Sequence, residues 1–140
     1  MFEELRADEQ SVAEWNRLAE TVVRELRLAG FTATPGPGRD AVPGAQVVVD
    51  PLGDGGGGVF VSWHRDPALT RDVLEKMTHG EDVRQMPEVR HSGVIAAEMH
   101  RAMLAILNSA GFTATDGSTD MDPFTIRVEP GGKDAAVPCS

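Results

Sequence analysis

Ala29-Gly30-Phe31-Thr32-Ala33-Thr34 recurs letter for letter as Ala110-Gly111-Phe112-Thr113-Ala114-Thr115. Such a repeat outranks any single motif, because it says how often one supersecondary piece must be fitted into the fold. Working outward, Ser11 aligns with Ser92, Leu18 with Met99, Val22 with Met103, Val23 with Leu104 and Leu26 with Leu107. Past the hexapeptide, after a two-residue shift in the loop, Val47–Pro51 aligns with Ile126–Pro130. The copies cover about 11–51 and 92–130. Each reads as a helix, a short strand, a loop and a second strand, so the chain is an internally duplicated helix–hairpin unit.

The spacing predicts a first helix over Ser11–Ala29. Ser11 and Glu14 form a capping box, and Val12, Trp15, Leu18, Val22, Leu26 and Ala29 make one apolar stripe. Gly30 stands where a left-handed cap belongs. Pro35–Gly44 carries Pro, Gly and Asp at a density that suits a loop, and Ala45–Asp50 is a strand stopped by Pro51. Gly53–Gly58 turns the chain into a strand over Val59–His64. That glycine run lacks the lysine and the following helix of a phosphate-binding loop, and reads as a hairpin turn.

Asp66 as cap and Pro67 at the first position open a second helix that runs to about His79 and is closed by Gly80. After a polar connector whose Met86-Pro87 packs inward, the third helix spans Ser92–Ala110, with a possible start at Pro87. Its stripe is Ile95, Met99, Met103, Ile106 and Leu107. Phe124–Glu129 alternates strictly, so Phe124, Ile126 and Val128 face a core and their neighbours face water. By the repeat, Ala45, Val47 and Val49 face inward too, while in the third strand Val59, Val61 and Trp63 share one face and Phe60, Ser62 and His64 the other.

These elements define an α+β two-layer sandwich. Its mainly antiparallel sheet has about five strands, with helices packed on one face in pseudo-twofold fashion. Division of the strands into two smaller sheets is the alternative. Residues 1–130 form one domain, and 131–140, rich in small residues without periodicity, form a loose tail.

If Trp63 faces the core, Phe60 and Val48 lie on the helix-free face. Ser62, His64 and Arg127, together with several threonines, surround them. A polar face with an apolar centre suits docking by a protein partner or a second copy of the chain. Val48, Phe60, Ser62, His64 and Arg127 are therefore the candidate binding residues. The competing reading covers Phe60 and Val48 with the second helix or the tail.

Other chemistries find little support. His64, His79, His91 and His100 lack the close spacing of zinc ligands. Ser11 and Ser92 read as caps, and Ser62 lacks a nucleophile elbow. Cys139 is the single cysteine, which excludes an intrachain disulfide and fits a reducing compartment. No nucleophile, base and positioning group come together, no cofactor motif is present, and the expectation is a non-enzymatic protein.

The net charge of −9 and the lack of Lys/Arg clusters make nucleic acid a poor partner. They suit a solvated surface, or one that attracts a basic protein, as an inhibitor or immunity-type protein does. No apolar run approaches the roughly 20 residues of a membrane span, and the charged start lacks a signal-peptide pattern, so the expected location is cytoplasmic. Eleven Arg against two Lys suggest a GC-rich bacterial genome. The main expectation is a small acidic interaction or regulatory protein. A second is a small-molecule binder with a pocket between the sheet and the Met-rich third helix. A third is a module resembling double-stranded-RNA-binding domains in its α-β-β-β-α order, without their basic helix start.

Overall fold

Asp8 opens the first helix. Its carboxylate accepts the backbone N–H of Ser11 at 2.7 Å, and α1 runs Glu9–Leu28. The capping box expected at Ser11 is therefore displaced by three residues. Asp8 satisfies the free N–H of the first turn, and Ser11 lies inside the helix. The computed structural model describes residues 8–36, 43–52, 57–65, 67–120 and 123–131. The expected tail falls almost wholly outside them, as do the Asp66 cap and most of the glycine turn.

The remaining elements are β1 (Ala33–Gly36), β2 (Gly44–Asp50), β3 (Gly58–His64), α2 (Pro67–Thr78), a 3-10 turn (Val83–Gln85), α3 (Pro87–Ser109), β4 (Thr113–Asp116) and β5 (Ile126–Glu129). The strands form one five-stranded sheet in the order β1-β2-β3-β5-β4, which removes the two-sheet alternative. All pairings are antiparallel except β1 with β2. α1 and α3 pack on one face of the sheet, and α2 packs against α3.

The core lies between those two helices and the sheet. Val22 and Leu26 of α1 meet Met103 and Leu107 of α3 over Ala45, Val47, Val59, Val61, Ile126 and Val128, all buried. Trp63 packs against this cluster, with Phe31 edge-on to its indole at 6.1 Å between centroids. The inward set expected from period-2 alternation is thus present in β2, β3 and β5. Phe124 departs from it. With φ +61 it belongs to the turn before β5, and its ring meets His100 at the sheet margin instead of the core.

The two copies of the hexapeptide adopt matching structures. Gly30 and Gly111 have φ +104 and +106, a left-handed region that glycine enters without a Cβ penalty. The next N–H reaches back over each cap in the same way, from Phe31 to Leu26 O at 3.0 Å and from Phe112 to Leu107 O at 3.2 Å. Ala33 and Ala114 are both buried two residues later.

The correspondence ends at the following strand. β4 and β5 are antiparallel, as a hairpin requires, but β1 and β2 are parallel. β2 and β5 consequently run the same way on either side of β3, whereas a twofold through β3 would oppose them. The first copy is therefore helix, strand and return crossover. Parallel neighbours usually need a dozen or more linking residues. Here β1 is only four residues long, and β2 begins eight positions after it ends.

α3 begins at Pro87 without a side-chain cap, five residues before Ser92. Ser92 is not the cap expected there. It is buried inside the helix, and its hydroxyl accepts from Arg65 Nη1 at 2.7 Å. Of the two methionines beside which a ligand pocket was expected, Met103 is fully buried in the core cluster and Met99 is half-buried.

Candidate functional site

Alternation in β2 and β3 turns Gln46, Val48 and Asp50, and Phe60, Ser62 and His64, away from the helices. The register places Gly36, Val48, Phe60, Arg127 and Thr115 in a single row across all five strands. One step along lie Gln46 and Ser62, and beyond them Gly44 and His64. At the opposite end, Asp50 pairs with Gly58.

A groove of about 360 Å³ follows this face. Gln46, Val48, Asp50, Phe60, Ser62 and His64 line it, and Gly117, Thr119 and Thr125 of the β4–β5 connection form its side. Four of the five residues singled out in the sequence share the groove. The fifth, Arg127, flanks it. Its guanidinium carbon lies 5.6 Å from the Phe60 ring centroid, Nη2 donates to Gly57 O at 3.1 Å, and Nε donates to Glu129 Oε1 at 3.4 Å. The cation thus covers one side of the phenyl ring and leaves it half-buried. Among the described residues no helix packs on this face, so α2 is not its cover.

Residues outside the expected set hold the groove wall. His100 of α3, 12% exposed, brings Nε2 to 3.3 Å from Thr125 O and 3.4 Å from Asp116 Oδ1. Asp116 also accepts the Ser118 N–H at 2.9 Å, and Ser118 Oγ accepts the Thr125 N–H at 3.3 Å. His100, Asp116 and Ser118 thus lie close together in space. The carboxylate sits between hydroxyl and imidazole, whereas a nucleophilic triad needs the imidazole in the middle. This cluster positions a loop. Nothing in the spacing of residues 100, 116 and 125 announced it.

The hydrogen bonds from Ser118, with the nearby His100 as a lesser cause, hold the Asp116 carboxyl below the usual carboxylate range. The Ser11 N–H does the same for Asp8, and Lys76 for Glu88. Each group binds its proton less readily folded than unfolded. Its stabilising contribution is therefore complete above its unfolded pKa of about 4 and is lost as pH falls through the lowered folded value. Thermal melts at steps from pH 6 to pH 2.5 should show a plateau and then a decline beginning near pH 4.

Two further side chains engage the edges of the sheet. Asn108 stands in the last turn of α3. Its Nδ2 donates to Ala114 O at 2.9 Å while its Oδ1 accepts the Ala114 N–H at 3.0 Å. Thr113 and Thr115 pair with β5, so these Ala114 groups point outward from β4. At the other edge, Arg27, the residue aligned with Asn108, donates Nε to Ala33 O at 2.9 Å. Pro35 beside it has no N–H to offer. At each edge the chain's own side chain thus engages an outward backbone group, Ala33 O in β1 and both Ala114 groups in β4.

Among the described residues, no three His, Cys, Asp or Glu are grouped to hold a metal ion, and no helix is long and apolar enough to cross a membrane. No protein-family model, curated protein or solved structure matches the chain.

Proposed function

We propose that this chain is a small acidic, non-enzymatic interaction protein that docks a protein surface on its open sheet face. The observation that carries this reading is the row Val48–Phe60–Arg127, an apolar pair under a cation, set in a polar surround on the side away from α1 and α3. Two features support it. The side-chain clasps at the edges of β1 and β4 disfavour strand addition, leaving the face as the larger surface for contact. The net charge of −9 suits a surface that attracts a basic partner or stays well solvated. Inhibitor-like and other regulatory roles are variants of this reading.

The two halves of the scaffold are, in our reading, descendants of one helix–cap–strand piece. The matched left-handed glycines and the clasps at the aligned positions 27 and 108 support that origin. The strand after each piece took its own direction.

Substitution Phe60→Asp tests the reading directly. On an open face it should leave the fold intact and change unfolding free energy by less than about 1 kcal/mol, whereas a core phenylalanine costs about 3–5 kcal/mol when removed. Urea unfolding followed by circular dichroism measures the difference, and a loss in the core range would refute an open face.

A second reading, small-molecule binding, is favoured by one observation. An open groove of about 730 Å³ lies between α1 and the β1–β2 edge, with Ala19, Val23, Val47 and Val49 as apolar floor and Asn16, Glu20 and Arg27 at its rim. Its volume falls in the range of ligand sites. It lies on the opposite side of α1 from the place beside α3 where the methionines suggested a pocket.

A further inference from the structure

The open face is asymmetric in charge along its strands. Asp50 lies at one end of β2, and His64 lies at the other end of the β2–β3 pair, opposite Gly44. Val48, Phe60, Gln46 and Ser62 occupy the two rows between them. Arg127 flanks the Phe60 row on the β5 side. Glu129 continues the acidic end beyond Gly58, since Val59 pairs with Val128.

Two copies can stack such faces about a twofold axis lying between the sheets, in one of two orientations. With the axis along the strands, like ends meet. Asp50 then comes over the acidic end of the other copy, where Asp50 and Glu129 lie, and carboxylates face carboxylates. With the axis across the strands, each end meets its opposite. Asp50 of each copy then comes over Gly44 of the other, one strand away from that copy's His64, twice by symmetry, and the Val48–Phe60 row meets the Gln46–Ser62 row.

We propose that the occupant of this face is a second copy of the chain, stacked face to face about a twofold transverse to the strands, with reciprocal Asp50–His64 contacts bracketing a Phe60 centre. The inference rests on the docking reading above and names its partner. One Asp50 oxygen already accepts the Leu52 N–H at 3.1 Å, which fixes the carboxylate while leaving its second oxygen to the partner copy. The face measures about 20 Å by 20 Å, from strands about 4.8 Å apart and residues about 3.3 Å apart. That gives about 400 Å² from each copy, below the standard size of protein interfaces, so the dimer is a weak one.

The test uses the full chain, with molar mass measured by light scattering and sedimentation equilibrium between about 1 and 500 μM. Wild type should pass from monomer to dimer within that range. Phe60→Asp should remain monomeric throughout, with its circular dichroism spectrum unchanged. Asp50→His alone and His64→Asp alone should each weaken association at least tenfold, because each sets like groups against one another. The double variant Asp50→His/His64→Asp should recover wild-type association within about threefold. A wild type that is monomeric at 500 μM, or a double variant as weak as the singles, overturns the dimer. Maleimide labelling of Ser62→Cys in a Cys139→Ser background then separates this failure from failure of the docking reading itself. A monomer labelled readily at position 62 retains an open face for another partner, and a folded monomer protected there has no open face at all.

Discussion

Substituting Gly44 by alanine should cost 3 kcal/mol or more, on the order of the strain and steric terms combined, and lower the melting temperature by about 10 °C. Gly44 has φ +121, where a side chain is strained, and a Cβ built there would lie 2.4 Å from the carbonyl oxygen of Thr32. That oxygen is already engaged, since it accepts the Ala45 N–H at 2.8 Å in the first step of the β1–β2 ladder. Neither atom can retreat without breaking the parallel joint. Gly30→Ala provides the control. It also has positive φ, but its Cβ would meet nothing within 4 Å. Only the backbone term of about 1 kcal/mol applies. Differential scanning calorimetry of the two variants should therefore separate them by several degrees. Equal losses would mean that the approach to Thr32 is not a constraint.

Asn108→Ala should be the most damaging polar-to-alanine change, at about 2–3 kcal/mol. Ala114 is 6% exposed, and the amide of Asn108 satisfies both its N–H and its C=O. Removing that amide leaves a donor and an acceptor together at a buried edge, each incurring a desolvation penalty of about 1–3 kcal/mol that water recovers only in part. A second readout follows from the same geometry. With the clasp gone, β4 offers an unmet N–H and C=O to other chains, so turbidity on heating should appear at lower temperature than the loss of stability alone explains. Asn108→Asp keeps the acceptor and loses the donor, and should fall between wild type and alanine. If the alanine variant melts within 2 °C of wild type and stays clear, the clasp has no energetic role.

Much of the architecture is legible in the sequence. Alternation assigns the faces of β2 and β3, because a side chain in a half-buried strand has only two directions to choose from. The hexapeptide marks both helix ends, because only glycine enters the left-handed cap cheaply. Strand direction was not legible. Pro35–Gly44 has the composition of any tight connection, and nothing in it separates a hairpin from a short crossover. What decides the matter is the contact between Thr32 O and Ala45 N, which is a tertiary fact. The Ser11 capping box failed for a local reason. Asp8 sits one turn earlier and competes for the same role with a charged acceptor.

The candidate site was partly legible. Val48, Phe60, Ser62 and His64 follow from strand period alone, and Arg127 follows once β5 is placed beside β3. Asp50 and the Gly117–Thr119 wall needed the register and the loop path. His100 gave no signal, since its partners lie 16 and 25 positions away. Asn108 could have been found. It aligns with Arg27, and asking which polar residue occupies the last turn of each helix before the repeated hexapeptide would have paired them.

The clasped borders of the sheet also limit how large any assembly can grow. A β-sheet with bare margins on both sides can recruit strands without end and elongate into a fibre. Two copies stacked on the open sheet face would each cover the other's, leaving neither that face to offer to a third. Association through that face, as proposed, would therefore stop at a pair, a closed stoichiometry.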